Sequence, residues 1–143
     1  MSKRVKTDKN YESLFLLFAS ITFIDRLAKL FLFNGCFSIF CIKRAVNYGS
    51  AFGLMQGMNW LFISVAITVL FLIALFINDV NRKMRWAFVF LAAGTFANLI
   101  DRMFFGYVID LFSIAGSSSF NIADLSNLLG AVLLVIGLFK QKD

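Results

Sequence analysis

Four long apolar stretches divide the chain, at about residues 13–33, 60–77, 86–104 and 120–139. An α-helix of about 20 apolar residues is long enough to cross the hydrocarbon of a bilayer. The second stretch contains no charged residue, whereas the third ends in Asp101 and Arg102. The pattern predicts an all-α polytopic membrane protein with four transmembrane helices.

The connection over residues 34–59 has a different pattern. Its aromatic and β-branched residues are interrupted by Gly and Asn, which is typical of short strands joined by turns. We therefore expect a small β-sheet, a cradle on the outer membrane surface, between the first and second helices. The connection over 105–119 ends in a run of serines that suits a loop before the fourth helix.

Composition agrees with a membrane protein. Hydrophobic residues make up 60% of the 143 residues and charged residues 15%, against about 25% charged residues in an average soluble domain. A chain of this length encloses only one modest core, so the remaining apolar surface needs lipid around it. Without a linker, low-complexity tract or repeat, residues 1–143 are predicted to form a single domain.

The basic residues predict the orientation of the chain. The tail before the first helix, the connection between the second and third helices and the end of the chain hold nine Lys and Arg, whereas 34–59 and 105–119 hold only Lys43 and Arg44. The positive-inside rule then places both termini in the cytoplasm and those two segments outside. Because the +6 net charge is dispersed in this way, we expect no nucleic-acid partner.

Residues 1–12 are polar and basic, like the start of a signal peptide. The apolar stretch that follows is too long for one and lacks a cleavage site of small residues, so we expect an uncleaved anchor.

Cys36 and Cys41 are the only cysteines, and there is no His. A zinc site needs four ligands, usually Cys or His, so we expect no metal and no other cofactor. The two cysteines can pair if they face an oxidising compartment. The interpretation we favour is buried apolar packing.

Ionisable groups at membrane depth are expensive and are candidates for function. In the first helix, Asp25 and Lys29 are four residues apart on one face, the favourable order for an ion pair. A purely structural pair is one interpretation and a functional pair the other. Arg26 points elsewhere and is expected to extend to the outer interface.

The third helix ends in a polar corner formed by Asn98, Asp101 and Arg102. Asn can hydrogen-bond a neighbouring helix, and Arg can bind a carboxylate or lipid phosphate with two bonds. Structural bracing and substrate contact both remain open for these residues.

Asp110 and Asp124 are the strongest candidates for chemistry. Asp110 is a lone acid among apolar residues just past the third helix, and Asp124 lies in the first turns of the fourth. By itself Asp124 also fits a capping box with Asn121. The third helix ends at the outer face of the membrane and the fourth begins there, so both acids are expected to lie at similar depth. The loop between them is long enough for the two side chains to meet.

Two carboxylates close together in a site of low dielectric share one proton. One can then activate a water while the other protonates a carbonyl oxygen, which hydrolyses a peptide bond without a His-dependent nucleophile.

Four blocks in the same order resemble the lipoprotein signal peptidases (signal peptidase II) of bacteria. They are DRLAK at 25–29, NYGSAFG at 47–53, NLIDR at 98–102 continuing through Gly106 to Asp110, and FNIAD at 120–124. Each block alone is weak, but the four occur in order, and the resemblance as a whole runs from about residue 15 to 138. The chain has Arg26 where the family usually has Gln, Ala97 where it usually has Gly, and Ser50 where Ala is common.

The resemblance implies an intramembrane aspartic peptidase of the bacterial inner membrane. It implies cleavage of prolipoproteins just before a cysteine that carries a diacylglyceryl group, with catalysis by Asp110 and Asp124. It also implies that a set of polar residues lines or braces the site: Asp25, Lys29, Asn47, Asn98, Arg102 and Asn121. Its expected partners are these prolipoproteins and membrane lipids, and we expect it to act as a monomer.

Two other functions stay open at this point. A small proton-coupled transporter also uses intramembrane acids, although such proteins place them near the midplane and often have an inverted repeat. A relative of the peptidases that binds lipoproteins without cutting them, or cuts a specialised substrate, would keep the same blocks.

Overall fold

The structure, a computed structural model, describes residues 9–31, 35–37, 40–49, 57–114 and 119–139. The side chains of residues 9, 10, 37 and 40 are not included. The basic tail before residue 9, Ser50, the first two serines of the run and the last two lysines therefore lie outside the described residues.

Four helices form the described bundle. They are α1 (Lys9–Phe31), α2 (Asn59–Phe76), α3 (Arg82–Phe105) and α4 (Ile122–Phe139). The predicted helices are thus confirmed, with bounds shifted by a few residues. The largest shifts are at the starts of α1 and α3, and Asn81 caps α3 by accepting a hydrogen bond from the Met84 N–H at 3.0 Å.

Of the described helices, α2, α3 and α4 are long and apolar enough to cross a membrane. α1 is longer than α2 but carries Asp25, Arg26 and Lys29 near its end. Large apolar side chains on α2 and α4 point away from the bundle, as Phe71 and Leu128 do. Such surfaces are typical of a protein that has lipid around it.

Within the described residues the sheet has four antiparallel strands, in the order β1 (Gly35–Phe37), β2 (Phe40–Asn47), β3 (Val108–Ile114) and β4 (Ser119–Phe120). The expectation that 34–59 alone supplies the strands is therefore wrong, because β3 and β4 come from the connection predicted as a loop. α3 stops at Gly106, whose φ of 81° suits a residue without a side chain. β3 then runs back along β2, with Val108 opposite Asn47 and Asp110 opposite Ala45.

The favoured interpretation of the cysteines is also wrong. Cys36 and Cys41 face each other across β1 and β2 and form a disulfide. The hairpin register brings them together, and Cys36 is exposed rather than packed in an apolar interior.

α3 is the central helix and contacts each of the other three. Its contact with α4 is close, since a Cβ on Gly94 would lie 2.3 Å from the Ala123 carbonyl oxygen and one on Gly130 would lie 2.8 Å from the Leu91 nitrogen. Ala97, one of the departures from the family pattern, is fully buried. Small residues of this kind let helices approach closely inside a membrane.

Candidate active site

Four charged side chains form a cluster between α1 and α3. Lys29 Nζ lies 2.7 Å from Asp25 Oδ2 and 2.7 Å from Asp101 Oδ2. The Arg26 guanidinium binds Asp101 Oδ1 and lies 3.0 Å from Asp25 Oδ2. The predicted Asp25–Lys29 pair is confirmed, but it is half of a neutral group of two acids and two bases. Both carboxylates are fully buried.

The expectation for Arg26 is wrong. Its side chain is only 23% exposed, and Nη2 also donates to the Ala97 carbonyl at 3.1 Å. The partner that holds it inward, Asp101, lies on another helix, so the surface of α1 alone gives no sign of the contact.

The cluster also binds the backbone beside each candidate catalytic acid. Asp25 Oδ1 accepts a hydrogen bond from the Ala123 N–H at 3.0 Å, and Ala123 directly precedes Asp124. Asp101 Oδ2 accepts one from the Ile109 N–H at 3.2 Å, and Ile109 directly precedes Asp110. The charged cluster therefore fixes the start of α4 and the start of β3 together.

Asp110 lies in β3 and is fully buried. Its Oδ2 accepts hydrogen bonds from Asn47 Nδ2 at 3.2 Å and from Ser119 Oγ at 2.9 Å. Its Oδ1 accepts one from Asn121 Nδ2 at 3.0 Å. These donors come from β2, from β4 and from the residue before α4, so the sheet and the bundle both orient this carboxylate.

Asp124 caps the start of α4 and also faces Asn98 of α3. The Asp124 N–H donates to Asn121 Oδ1 at 2.8 Å and the Asn121 N–H donates back to Asp124 Oδ2 at 3.1 Å. This is the predicted capping box. The other carboxylate oxygen, Oδ1, accepts a hydrogen bond from Asn98 Nδ2 at 2.8 Å. Capping therefore holds Asp124 in one orientation and leaves it facing the polar end of α3.

Asn98 and Asn121 connect the two acids. Asn121 Nδ2 bonds Asp110 and also lies 3.1 Å from Asn98 Oδ1, while Asn98 bonds Asp124 through its Nδ2. Asp110 and Asp124 are also close enough for the charge of one to act on the other. Lys29 Nζ reaches Asn98 Oδ1 at 3.4 Å, which joins the charged cluster to this network.

Arg102 lies in the same region but forms no ion pair with a carboxylate of the described residues. Its Nη2 donates to the Gly49 carbonyl at 2.8 Å, Nη1 reaches Asn59 Oδ1 at 3.5 Å, and the guanidinium lies 4.3 Å from the centre of the Phe62 ring. These contacts brace the end of β2 against α2. Asn47 is braced there too, because its Oδ1 accepts from the Gly49 N–H at 3.0 Å.

A cavity of about 350 Å³ lies over this network. Its lining joins polar groups to an apolar wall: Asn47, Gly49, Asn98, Arg102, Ser119, Asp124 and Asn127 with Phe62, Val108 and Phe120. Asp124 faces the cavity, and Asp110 lies behind Asn47 and Ser119. The space can hold part of an extended peptide with polar groups on one side and apolar groups on the other.

The structure thus brings together seven of the eight candidate residues in one connected network: Asp25, Lys29, Asn47, Asn98, Asp110, Asn121 and Asp124. Arg102 borders the cavity from outside that network. Sequence reasoning missed Ser119 and the inward contacts of Arg26, and it named Asp101 only as part of the polar corner. Asp101 has a local signal, since it lies three residues after Asn98 in an apolar helix. Ser119 has none beyond its place in a serine run.

The fold and this site define a helical membrane protein in which a buried carboxylate, Asp110, and a half-buried one, Asp124, are linked through Asn121 and Asn98 beside a polar cavity. Residues 17–140 match the family model described as Signal peptidase (SPase) II. A lipoprotein signal peptidase of Pseudoalteromonas atlantica is 34% identical over 117 residues, covering 74% of this chain and 71% of that protein. One from Clostridioides difficile is 34% identical over 126 residues, with coverages of 79% and 85%.

A solved bacterial membrane enzyme, determined by the in meso method at 2.3 Å resolution, has the same fold. It superposes with a TM-score of 0.84 at 26% sequence identity, covering 92% of this chain and 90% of the other. The chain belongs to the signal peptidase II family.

Proposed function

We propose that this chain is a lipoprotein signal peptidase that cleaves by aspartic catalysis, with Asp110 and Asp124 as its catalytic residues. Family membership makes it a bacterial membrane peptidase, and its relatives carry the name lipoprotein signal peptidase. The observation that carries the aspartic mechanism is the linkage of the two acids through Asn121, which caps Asp124 and donates to Asp110.

In the proposed mechanism the pair holds a single proton. Two carboxylates held close together in a site of low dielectric do not both ionise readily. The ionised member removes a proton from a water as that water attacks the scissile carbonyl carbon. The protonated member donates to the carbonyl oxygen. As the resulting tetrahedral species collapses, the acid that took the water proton gives it to the leaving nitrogen, and the other acid takes a proton back from the hydroxyl group.

The proposed substrate is a prolipoprotein whose cysteine carries a diacylglyceryl group, cut on the N-terminal side of that cysteine. The cavity supports this choice because its polar side reaches Asp124 while Phe62, Val108 and Phe120 form an apolar wall. A bond held at the end of the bundle can meet water while the attached lipid stays in the bilayer.

We further propose that the single membrane domain lies in the inner membrane with four spans, both termini in the cytoplasm and the sheet on the outer side. Pairing inside the buried cluster supports α1 as a span, because Asp25 and Lys29 do not face lipid. The disulfide between Cys36 and Cys41 supports an oxidising environment for the sheet.

The proposed activity is tested with purified protein and a synthetic prolipoprotein, with and without the diacylglyceryl group. Asp110→Asn and Asp124→Asn should each lower kcat by about 10²–10⁴-fold, the range for loss of general acid–base catalysis. Asp79→Asn is the matched control, because Asp79 is exposed in the turn between α2 and α3. It should cleave at the rate of the unmodified chain.

Asn at position 110 or 124 brings an N–H₂ group toward existing donors, so the melting temperature of each variant is measured as well. A folded Asp110→Asn variant with near-normal kcat would rule out the aspartic mechanism. Tight binding of the lipidated substrate by the unmodified chain, without turnover, would favour a lipoprotein-binding function instead.

A further inference from the structure

A second cavity lies at the end of the α3–α4 pair opposite the sheet. It has a volume of about 670 Å³ and lies between the first turns of α3 and the last turns of α4. Its lining consists of Asn81, Arg82, Lys83 and Trp86 with Leu133, Ile136 and Gly137. From Lys83 to Asn98 the axis of α3 runs roughly 22 Å at the helical rise per residue. This cavity is therefore separate from the candidate active site.

Arg82 and Lys83, the two cations that line this cavity, differ from the nearby Arg85 in their contacts. Arg85 is held by a hydrogen bond to the Tyr11 hydroxyl at 3.2 Å and by bonds to the carbonyls of Asn78 and Val80. Arg82 and Lys83 are exposed, and neither has a hydrogen-bond or ion-pair partner in the described part of the chain. Two positive groups thus face one cavity, and Asp79, the acid three residues before Arg82, forms no ion pair with either of them in the described part of the chain.

The rest of the lining suits a membrane interface. Trp86 lies one turn further into α3, and Trp is enriched at the level of lipid headgroups. Leu133 and Ile136 continue the wall along α4 toward the bilayer interior, and Ile136 is 45% exposed. Gly137 has no side chain, and α4 there packs against Met84. The cavity is cationic at one end and apolar along its length.

We propose that this cavity binds an anionic phospholipid, with the phosphate between Arg82 and Lys83 and an acyl chain along Leu133 and Ile136. An Arg guanidinium matches phosphate oxygens with two parallel bonds, and Lys adds a point charge. A zwitterionic lipid carries its own ammonium group, which opposes the two cations. Basic pockets between membrane helices are typical sites for anionic headgroups.

Trp86 provides a direct readout. The chain has two Trp residues, and Trp60→Phe leaves Trp86 as the only Trp, whose emission is excited selectively at wavelengths that Tyr does not absorb. This variant is reconstituted into phosphatidylcholine bilayers that contain a fixed fraction of brominated phosphatidylglycerol or of brominated phosphatidylcholine. Bromine quenches Trp fluorescence only at short range. We expect brominated phosphatidylglycerol to bind beside Trp86 at least about fivefold more tightly than brominated phosphatidylcholine, the effect of about one interfacial cation.

Arg82→Gln and Lys83→Gln, each in the Trp60→Phe background, should each remove most of that preference. Lys43→Gln is the matched control, since it removes one positive charge from an exposed position on β2. It should keep the full preference, and the melting temperature in lipid-free detergent checks that each variant is folded. Equal quenching by the two lipids would overturn the proposal. So would an equal loss in Lys43→Gln, because overall charge would then account for the effect.

Discussion

Within one turn of α3, three polar side chains go to three different partners. Asn98 binds Asp124 of α4, Asp101 binds the bases of α1, and Arg102 binds the end of β2. The sequence correctly predicts a polar corner here. It does not predict the division of roles, because each role depends on an element far away in the chain. Asp101 acts as a positioning residue, since it touches the backbone before Asp110 rather than the reacting atoms.

Asp101→Asn should destabilise the protein by about 3 kcal/mol, because it leaves Arg26 and Lys29 with one buried carboxylate instead of two. The Arg26 side chain is 23% exposed, so water screens part of its interaction with Asp101. The expected loss of stability is therefore at the lower end of the range for breaking a buried ion pair. The measurement is the free energy of unfolding in mixed micelles of detergent and denaturing surfactant. Asp79→Asn serves again as the control.

Adding Arg26→Gln to Asp101→Asn restores the balance of charge and should recover part of the lost stability. A double-mutant cycle isolates that coupling. Strictly additive losses would mean that Arg26 and Asp101 do not stabilise each other.

Spacing along one helix explains which of these contacts sequence can predict. Asp25 and Lys29 follow the i, i+4 rule, and their pair is present. Arg26 and Asp101 are 75 residues apart, so no local rule relates them. Asn121 and Asp124 form a local capping box that sequence does predict, yet the same Asn121 also bonds Asp110.

At the scale of elements, the helices were predictable because long apolar runs admit little else in a membrane. β3 was not predictable from alternation, since Val108, Ile109, Asp110 and Leu111 are all buried. A strand covered on both faces has no polar side, and a short apolar run past a helix end then looks like a loop. Asp110 consequently lies in a strand of the sheet rather than in a solvated connection.

The close contact between α3 and α4 makes a specific prediction. Gly94→Ala places a methyl group 2.3 Å from the carbonyl oxygen of Ala123, the residue before Asp124, so α4 must shift at the candidate site. Overpacking of this kind lowers the free energy of unfolding by about 1–3 kcal/mol. Cleavage should fall by more than the loss of folded protein explains, as measured by kcat on folded enzyme.

Gly130→Ala is the matched comparison, because its methyl group would meet Leu91 and Ala87 well away from Asp124. It should lower stability to a similar extent with a smaller effect on kcat. If the two variants lose kcat equally, the approach at Gly94 has no special bearing on the site.

At the scale of the whole molecule, the proposed orientation makes the disulfide a marker of the outer side. In spheroplasts, a maleimide carrying a large polymer should modify Cys36 and Cys41 only after an impermeant reductant is added. A control chain with Cys36→Ser, Cys41→Ser and Asp79→Cys carries its single thiol in the turn between α2 and α3. It should be modified only after the membrane is permeabilised.

The readout is the increase in mass on a denaturing gel. Modification of Cys36 and Cys41 in intact spheroplasts without reductant would contradict the disulfide. Modification of the control chain in intact spheroplasts would contradict the proposed topology.

The hydrogen bond from the Ala123 N–H to Asp25 joins residues 98 positions apart. Of the four helices, α1 is synthesised first and α4 last. The hydrogen bond to Asp25 Oδ1 therefore cannot form until most of the chain has been synthesised. The hydrogen bond from Asn98 to Asp124 likewise cannot form until α4 has been synthesised. A chain still being inserted therefore holds neither the capped acid nor its alignment with Asp110. The candidate site is therefore assembled only after α4 has been inserted and has packed against α1 and α3.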